Sequence, residues 1–147
     1  MYSITLSFDT PEHYDLCLTC HAHGWKNLLP FRWDEEKRAL HFAVFVDRIP
    51  VDIFAIQSDN DIVVTLRSAV QLDDNWLQDA RAMIHRSLGL GIDTAPLLEK
   101  AEKVGPEYAK IVKMGAGRLL RSSTLWEDAA KTLFTTNCTW SLTKKNV

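Results

Sequence analysis

Nowhere in this 147-residue chain do about 18 apolar residues follow one another, so the sequence encodes no membrane-spanning helix. The opening MYSITLSFDTPEHYD lacks the basic, apolar, small-residue order of a signal peptide, which gives the expectation of a cytoplasmic protein with no membrane partner. Cysteine is scarce and odd in number, three in all, which argues against a disulfide framework. Glycine (6) and proline (5) are too few for a collagen-like or low-complexity chain. Excess charge is missing too: 17 basic residues meet 19 acidic ones, a net −2, which excludes a general polycation. Several motifs are likewise absent, namely G-x-S-x-G, H-E-x-x-H, the P-loop and G-x-G-x-x-G. No acid–base or nucleophile pair stands out, and Asp59-Asn60-Asp61 and Asp73-Asp74 read as turn and cap residues.

What is present is an ordinary folded composition, 46% hydrophobic and 24% charged, at the size of a single domain. Its charge is unevenly spread. Residues 101–147 hold eight basic and four acidic side chains, whereas residues 1–100 hold nine basic and fifteen acidic. A polyanionic partner would therefore meet the C-terminal third.

The first half alternates with period 2. Ile4, Leu6 and Phe8 interleave with Ser3, Thr5 and Ser7, and further strands are expected at Pro30–Trp33, Leu40–Val46, Val51–Ile56 and Ile62–Leu66, joined by polar turns. That pattern is an antiparallel meander. Between the first two strands Tyr14, Cys17, Leu18 and His21 suggest a helix over 12–23, stopped at Gly24. After Asp73 the period becomes 3.6: Trp76, Ala80, Ile84 and Leu88 mark a helix over 74–88 that would pack on the sheet. Helices over 95–104 and 106–114 follow, the second opened by proline. Thr124-Leu-Trp-Glu127 is a capping-box pattern before the stripe Leu125, Trp126, Ala129, Ala130, Leu133 and Phe134. A last helix begins near Thr139 and shows no stop signal, which reads as a chain cut within an element.

Two constellations could carry chemistry. Cys17-Leu-Thr-Cys20-His21 spells the C-x-x-C-H of haem attachment, with His23 close by, but four ligands bunched on one helix close a tetrahedron poorly. A metal or haem role for Cys17, Cys20 and His21 is thus an alternative, beside the plain one of helix cysteines. Second, Arg118, Arg121 and the hydroxyls of Ser122, Ser123 and Thr124 precede a helix, where free N–H groups and the dipole favour an anion.

Arg118-Leu-Leu-Arg-Ser-Ser-Thr-Leu-Trp-Glu-Asp, followed by Leu133-Phe-Thr-Thr-Asn-Cys-Thr-Trp, resembles the segment that opens the helical domain of helix-hairpin-helix (HhH-GPD) DNA glycosylases. It is similar in particular to the branch of 8-oxoguanine glycosylase and 3-methyladenine DNA glycosylase II. The motifs cover about 30 residues; the order of elements upstream is similar to the TATA-binding-protein-like sheet domain of that branch. The resemblance implies an α+β fold, with residues 1–92 a sheet-plus-helix domain and residues 93–147 the truncated start of an all-α domain.

It implies a function as well. The family flips a damaged base out of duplex DNA and hydrolyses its N-glycosidic bond, and needs no cofactor for that step. An amide side chain after the first long helix fills the gap in the stack. Its counterpart here is Asn137, flanked by Thr135, Thr136 and Thr139, with Arg118, Arg121, Ser122 and Ser123 as further DNA contacts. The family's Gly-rich hairpin, catalytic Asp and, in bifunctional members, Lys have no match in these residues, so this chain alone is expected to be inactive. Leu142 stands where the 8-oxoguanine branch carries an arginine, which leaves the damaged base open. A non-catalytic DNA- or protein-binding module is the alternative, and self-association of the truncated chain is a further expectation.

Overall fold

The computed structural model describes residues 1–147. Five strands, β1 (Tyr2–Asp9), β2 (Arg32–Asp34), β3 (Ala39–Val46), β4 (Ile49–Ser58) and β5 (Asp61–Ser68), form one antiparallel sheet in the order β1-β5-β4-β3-β2. The fold is α+β, as the sequence indicates. The meander runs from β2 to β5, but β1 joins the far edge beside β5, with Ile4 opposite Leu66 and Leu6 opposite Val64. Strand order is thus not chain order, because β1 reaches β2 through a helical connection rather than a turn. Between β3 and β4, Asp47 and Arg48 both take positive φ (46° and 69°), the signature of a two-residue turn that matches strand twist.

Register assigns the faces. Leu40, Ala55, Val64 and Leu6 are successive cross-strand partners, as are Phe42, Ile53, Leu66 and Ile4, and these rows point into the core. The opposite face carries His41, Phe54, Thr65 and Thr5. No helix is needed to explain its composition, which is mixed and polar.

Seven helical segments complete the chain: α1 (Leu16–His21), a 3-10 turn (Gly24–Asn27), α2 (Asp74–Ser87), α3 (Ala95–Val104), α4 (Pro106–Lys113), α5 (Leu125–Thr135) and α6 (Trp140–Asn146). α1 is shorter than the period suggests. His13 takes φ 55° and Asp15 caps the helix by accepting from the Leu18 N–H at 2.6 Å, so Pro11–Tyr14 form a turn. The Gln57 amide fixes that start on β4: its oxygen accepts from the Leu16 N–H at 2.7 Å, and its nitrogen donates to the Tyr14 carbonyl at 3.2 Å. α2 buries Ala80 and Ile84, continues to the buried Leu88, and ends at Gly89 with φ 65°. One hydrophobic cluster of 22 buried residues extends from Leu6 to Leu120, so the segment after α4 closes the same core as the sheet.

Candidate nucleic-acid interface

α5 and the turn after it present the residues that the sequence singled out. Thr124 caps α5 by accepting from the Glu127 N–H at 3.2 Å, the first half of the capping box. The second half is absent: the Glu127 carboxylate accepts instead from Lys131 Nζ at 2.6 Å and Ser123 Oγ at 3.3 Å. Asp128 accepts from the Ser122 N–H at 2.7 Å and from Arg86 of α2 at 2.5 Å, while Arg86 Nε donates to the Ser122 carbonyl at 3.2 Å. The positive end of α5 is therefore filled by its own carboxylates, and an added anion would meet Glu127 and Asp128.

That corrects the expected anion cluster. Arg118 is 2% exposed; its guanidinium donates to the carbonyls of His13 (2.8 Å), Glu12 (3.2 Å) and Ile92 (3.3 Å) and to Thr94 Oγ1 (3.3 Å), over the Tyr14 ring. It cannot also meet a phosphate. Burial draws its pKa below the usual arginine range, against the opposing influence of Tyr14 and Asp93. Ser122 is fully buried, its Oγ accepting from Lys131 Nζ at 3.2 Å. Ser123 is half-buried and held by Glu127. Arg121 keeps an exposed side chain, on a backbone whose N–H donates to the Ser87 carbonyl at 3.0 Å, and the exposed Thr124 has its hydroxyl engaged in the helix cap.

At the other end of α5, about 16 Å away for 11 residues, the chain turns through Thr135–Thr139. Thr135 and Thr136 donate their hydroxyls to the carbonyls of Thr132 (2.6 Å) and Leu133 (2.7 Å), closing the last turn of the helix. Asn137 follows in the left-handed region at φ 52°, a conformation that Asn tolerates better than most side chains. Thr139 opens α6 by accepting from the Leu142 N–H at 3.4 Å. Both caps are thus threonines. The Asn137 amide is left exposed at the apex, outside the hydrogen bonds that fix its neighbours. α6 is braced from behind: Thr143 Oγ1 donates to the Phe134 carbonyl at 3.0 Å, and the Trp140 ring lies so close on Gly24 that a Cβ there would overlap it.

The apolar stripe of α5 faces outward. Leu125 (74%), Trp126 (81%) and Leu133 (67%) are exposed, and the buried residue of the helix is Lys131, its ammonium 4.6 Å from the centre of the Phe31 ring. Periodicity finds such a stripe but cannot tell which way it turns.

The C-x-x-C-H segment does not assemble a metal site. Cys20 is in the hydrophobic core, where burial pushes its thiol pKa up; His21 Nδ1 lies 2.8 Å from the Cys17 carbonyl and its Nε2 meets Lys26. No group of three or more His, Cys, Asp or Glu side chains is placed to hold a metal ion. No helix is long and apolar enough to cross a membrane.

No family model matches the sequence, and no curated protein does. Among solved structures, the chain is similar to a 3-methyladenine DNA glycosylase from Archaeoglobus fulgidus, with a TM-score of 0.71 at 18% identity. The match covers 95% of this chain and 47% of the other, so this chain spans less than half the length of its neighbour. At that identity the likeness establishes the fold: the sheet and helices are arranged as in part of a DNA glycosylase.

Proposed function

We propose that this chain is the N-terminal part of a base-excision-repair DNA glycosylase of the HhH-GPD superfamily, which flips a damaged base from duplex DNA and removes it by hydrolysis. The observation that carries this reading is the exposed, left-handed Asn137 at the apex of the α5–α6 turn, in a fold shared with a DNA glycosylase. An amide on a rigid turn has donors and an acceptor for the base left unpaired by flipping, and the threonines on either side are engaged in holding the turn. Arg121, at the far end of α5, would contact backbone phosphate. Hydrolysis requires an activated water and stabilisation of the oxocarbenium-like sugar, tasks that fall to a carboxylate outside these 147 residues. Leu125, Trp126 and Leu133 form the surface that further helices of such a domain would cover.

That same exposed stripe favours a second reading, a non-catalytic protein- or DNA-binding module. Fluorescence anisotropy with a duplex carrying an abasic-site analogue separates the two. The glycosylase reading expects tighter binding to that duplex than to intact duplex, with the difference lost in Asn137→Ala. Equal affinity for both duplexes in the unaltered chain would overturn the role given to Asn137 and leave the module.

A further inference from the structure

The sheet face away from the core is the second feature of this molecule that fits a ligand. Cross-strand register lines up Arg32 of β2, His41 of β3 and Phe54 of β4 in one row, with Asp52 of β4 opposite Arg67 of β5 in the next. Together with Lys37 these side chains line an open groove of about 750 Å³, a size ordinary for ligand sites. The His41 and Phe54 rings meet edge to face, 4.6 Å between centroids. On the same face of β3, Phe45 is 67% exposed.

The charge here runs against that of its surroundings. Residues 1–100 hold nine basic against fifteen acidic side chains, yet the groove is lined by three cations and one carboxylate. Lys37 is shared with Asp34 at 3.8 Å. The two arginines are not shared: the chain's eight ion pairs include neither Arg32 nor Arg67. His41 registers the result, since burial first and then Arg32, Lys37 and Arg67 lower its pKa, with Asp34 opposing. Strands lie about 4.8 Å apart, which puts the backbones of β2 and β5 about 14 Å apart, so the arginines approach the Phe54 ring from opposite sides.

We propose that this face binds single-stranded DNA, with a base stacked on Phe54 and flanking phosphates held by Arg32 and Arg67. An aromatic ring between unpaired arginines on an open sheet meets both demands of a single strand, a planar face for the base and cations for the backbone. A duplex hides its base faces and cannot use Phe54. The choice of DNA over RNA rests on the glycosylase reading; the surface itself rests on the groove.

Anisotropy of a labelled dT6 oligonucleotide with the 147-residue chain tests this directly. The expected result is saturable binding whose log–log salt slope is about −1.4, from the two arginine–phosphate contacts at about 0.7 each on a single strand. Arg32→Gln and Arg67→Gln should each reduce that slope by about 0.7. Phe54→Leu should weaken dT6 about fivefold or more and leave binding of heparin, a polyanion without bases, unchanged. Both arginines are exposed, so their variants keep the fold and the charge arm stands even if Phe54→Leu loosens the sheet. Absence of dT6 binding, indifference to both arginine variants, or equal losses for heparin and dT6 in a folded Phe54→Leu would overturn the proposal. Tighter binding of rU6 than dT6 would overturn the choice of DNA. Asn137→Ala, measured alongside, should leave dT6 binding intact, so failure of the duplex site and failure of this face are distinguishable.

Discussion

Two arginines three residues apart have opposite roles. Arg118 sits in the interior with four oxygen partners, and Arg121 projects into solvent. Arg118→Ala should therefore destabilise the fold by about 3 kcal/mol, since four acceptors lose a charged donor and a cavity opens. Arg121→Ala should leave the melting temperature within about 1–2 °C and weaken duplex binding. Thermal melts and anisotropy on the two variants check this; equal destabilisation by both would contradict the burial difference. His23 makes a second residue-scale case. Its Nε2–H donates to the Leu120 carbonyl at 2.9 Å and its Nδ1 accepts from the Trp25 N–H at 3.1 Å, so the neutral ring satisfies both. Burial lowers its pKa below the ordinary value, more than the bond to the Leu120 carbonyl and the nearby Asp128 raise it. The unfolded chain thus binds the proton first: the stability from neutral His23 is complete above about pH 6.5 and lost as pH falls through the folded pKa. Melts between pH 7.5 and 5 should show that decline, and His23→Gln should flatten it in part, His41 supplying another share in the same direction.

Among the elements, α5 shows most clearly what sequence can and cannot deliver. The cap Thr124 and the 3.6 spacing of Leu125, Ala129 and Leu133 place the helix within a residue or two of its observed ends. Its orientation is another matter, because it is set by polar contacts with no sequence period: Arg86, 42 residues earlier, meets Asp128, and Lys131 lies against the rings of Phe31 and Trp25. Those pairings turn the apolar stripe outward. The sheet tells a similar story, in that each strand is legible from alternation, whereas the placement of β1 beside β5 depends on a connection that no local pattern encodes. For the candidate site, the turn that carries Asn137 and its threonines is a local feature legible in the sequence, whereas the burial of Arg118 and Ser122 is not, because it depends on distant partners. Asp128→Ala should cost about 1–3 kcal/mol, since it strips Arg86 of its carboxylate and leaves the Ser122 N–H without an acceptor. It should also weaken duplex binding by freeing α5 from α2. A variant as stable as the unaltered chain, with unchanged binding, would show that the network does not orient the helix.

At the scale of the whole molecule, the proposed DNA-binding role would depend on how charge is distributed. A protein of net −2 repels a polyanion on average, so binding depends on the acidic and basic residues being segregated. Arg121 before α5 and Lys144 and Lys145 on α6 are exposed on the C-terminal third, while the acidic excess lies in the first 100 residues. Three phosphate contacts from these cations would give a log–log salt slope of about −2.7 on duplex DNA, at about 0.9 per contact. Lys144→Gln with Lys145→Gln should bring the slope to about −0.9 and weaken intact and abasic duplex alike, since phosphate contacts position without reading the base. Asn137→Ala should do the reverse: the slope stays, and the preference for the abasic duplex goes. A salt titration of both variants on both duplexes separates the roles. If Asn137→Ala changed the slope, or the lysine pair changed the preference, the division between a charged approach surface and a neutral probe at the apex of the turn would be wrong.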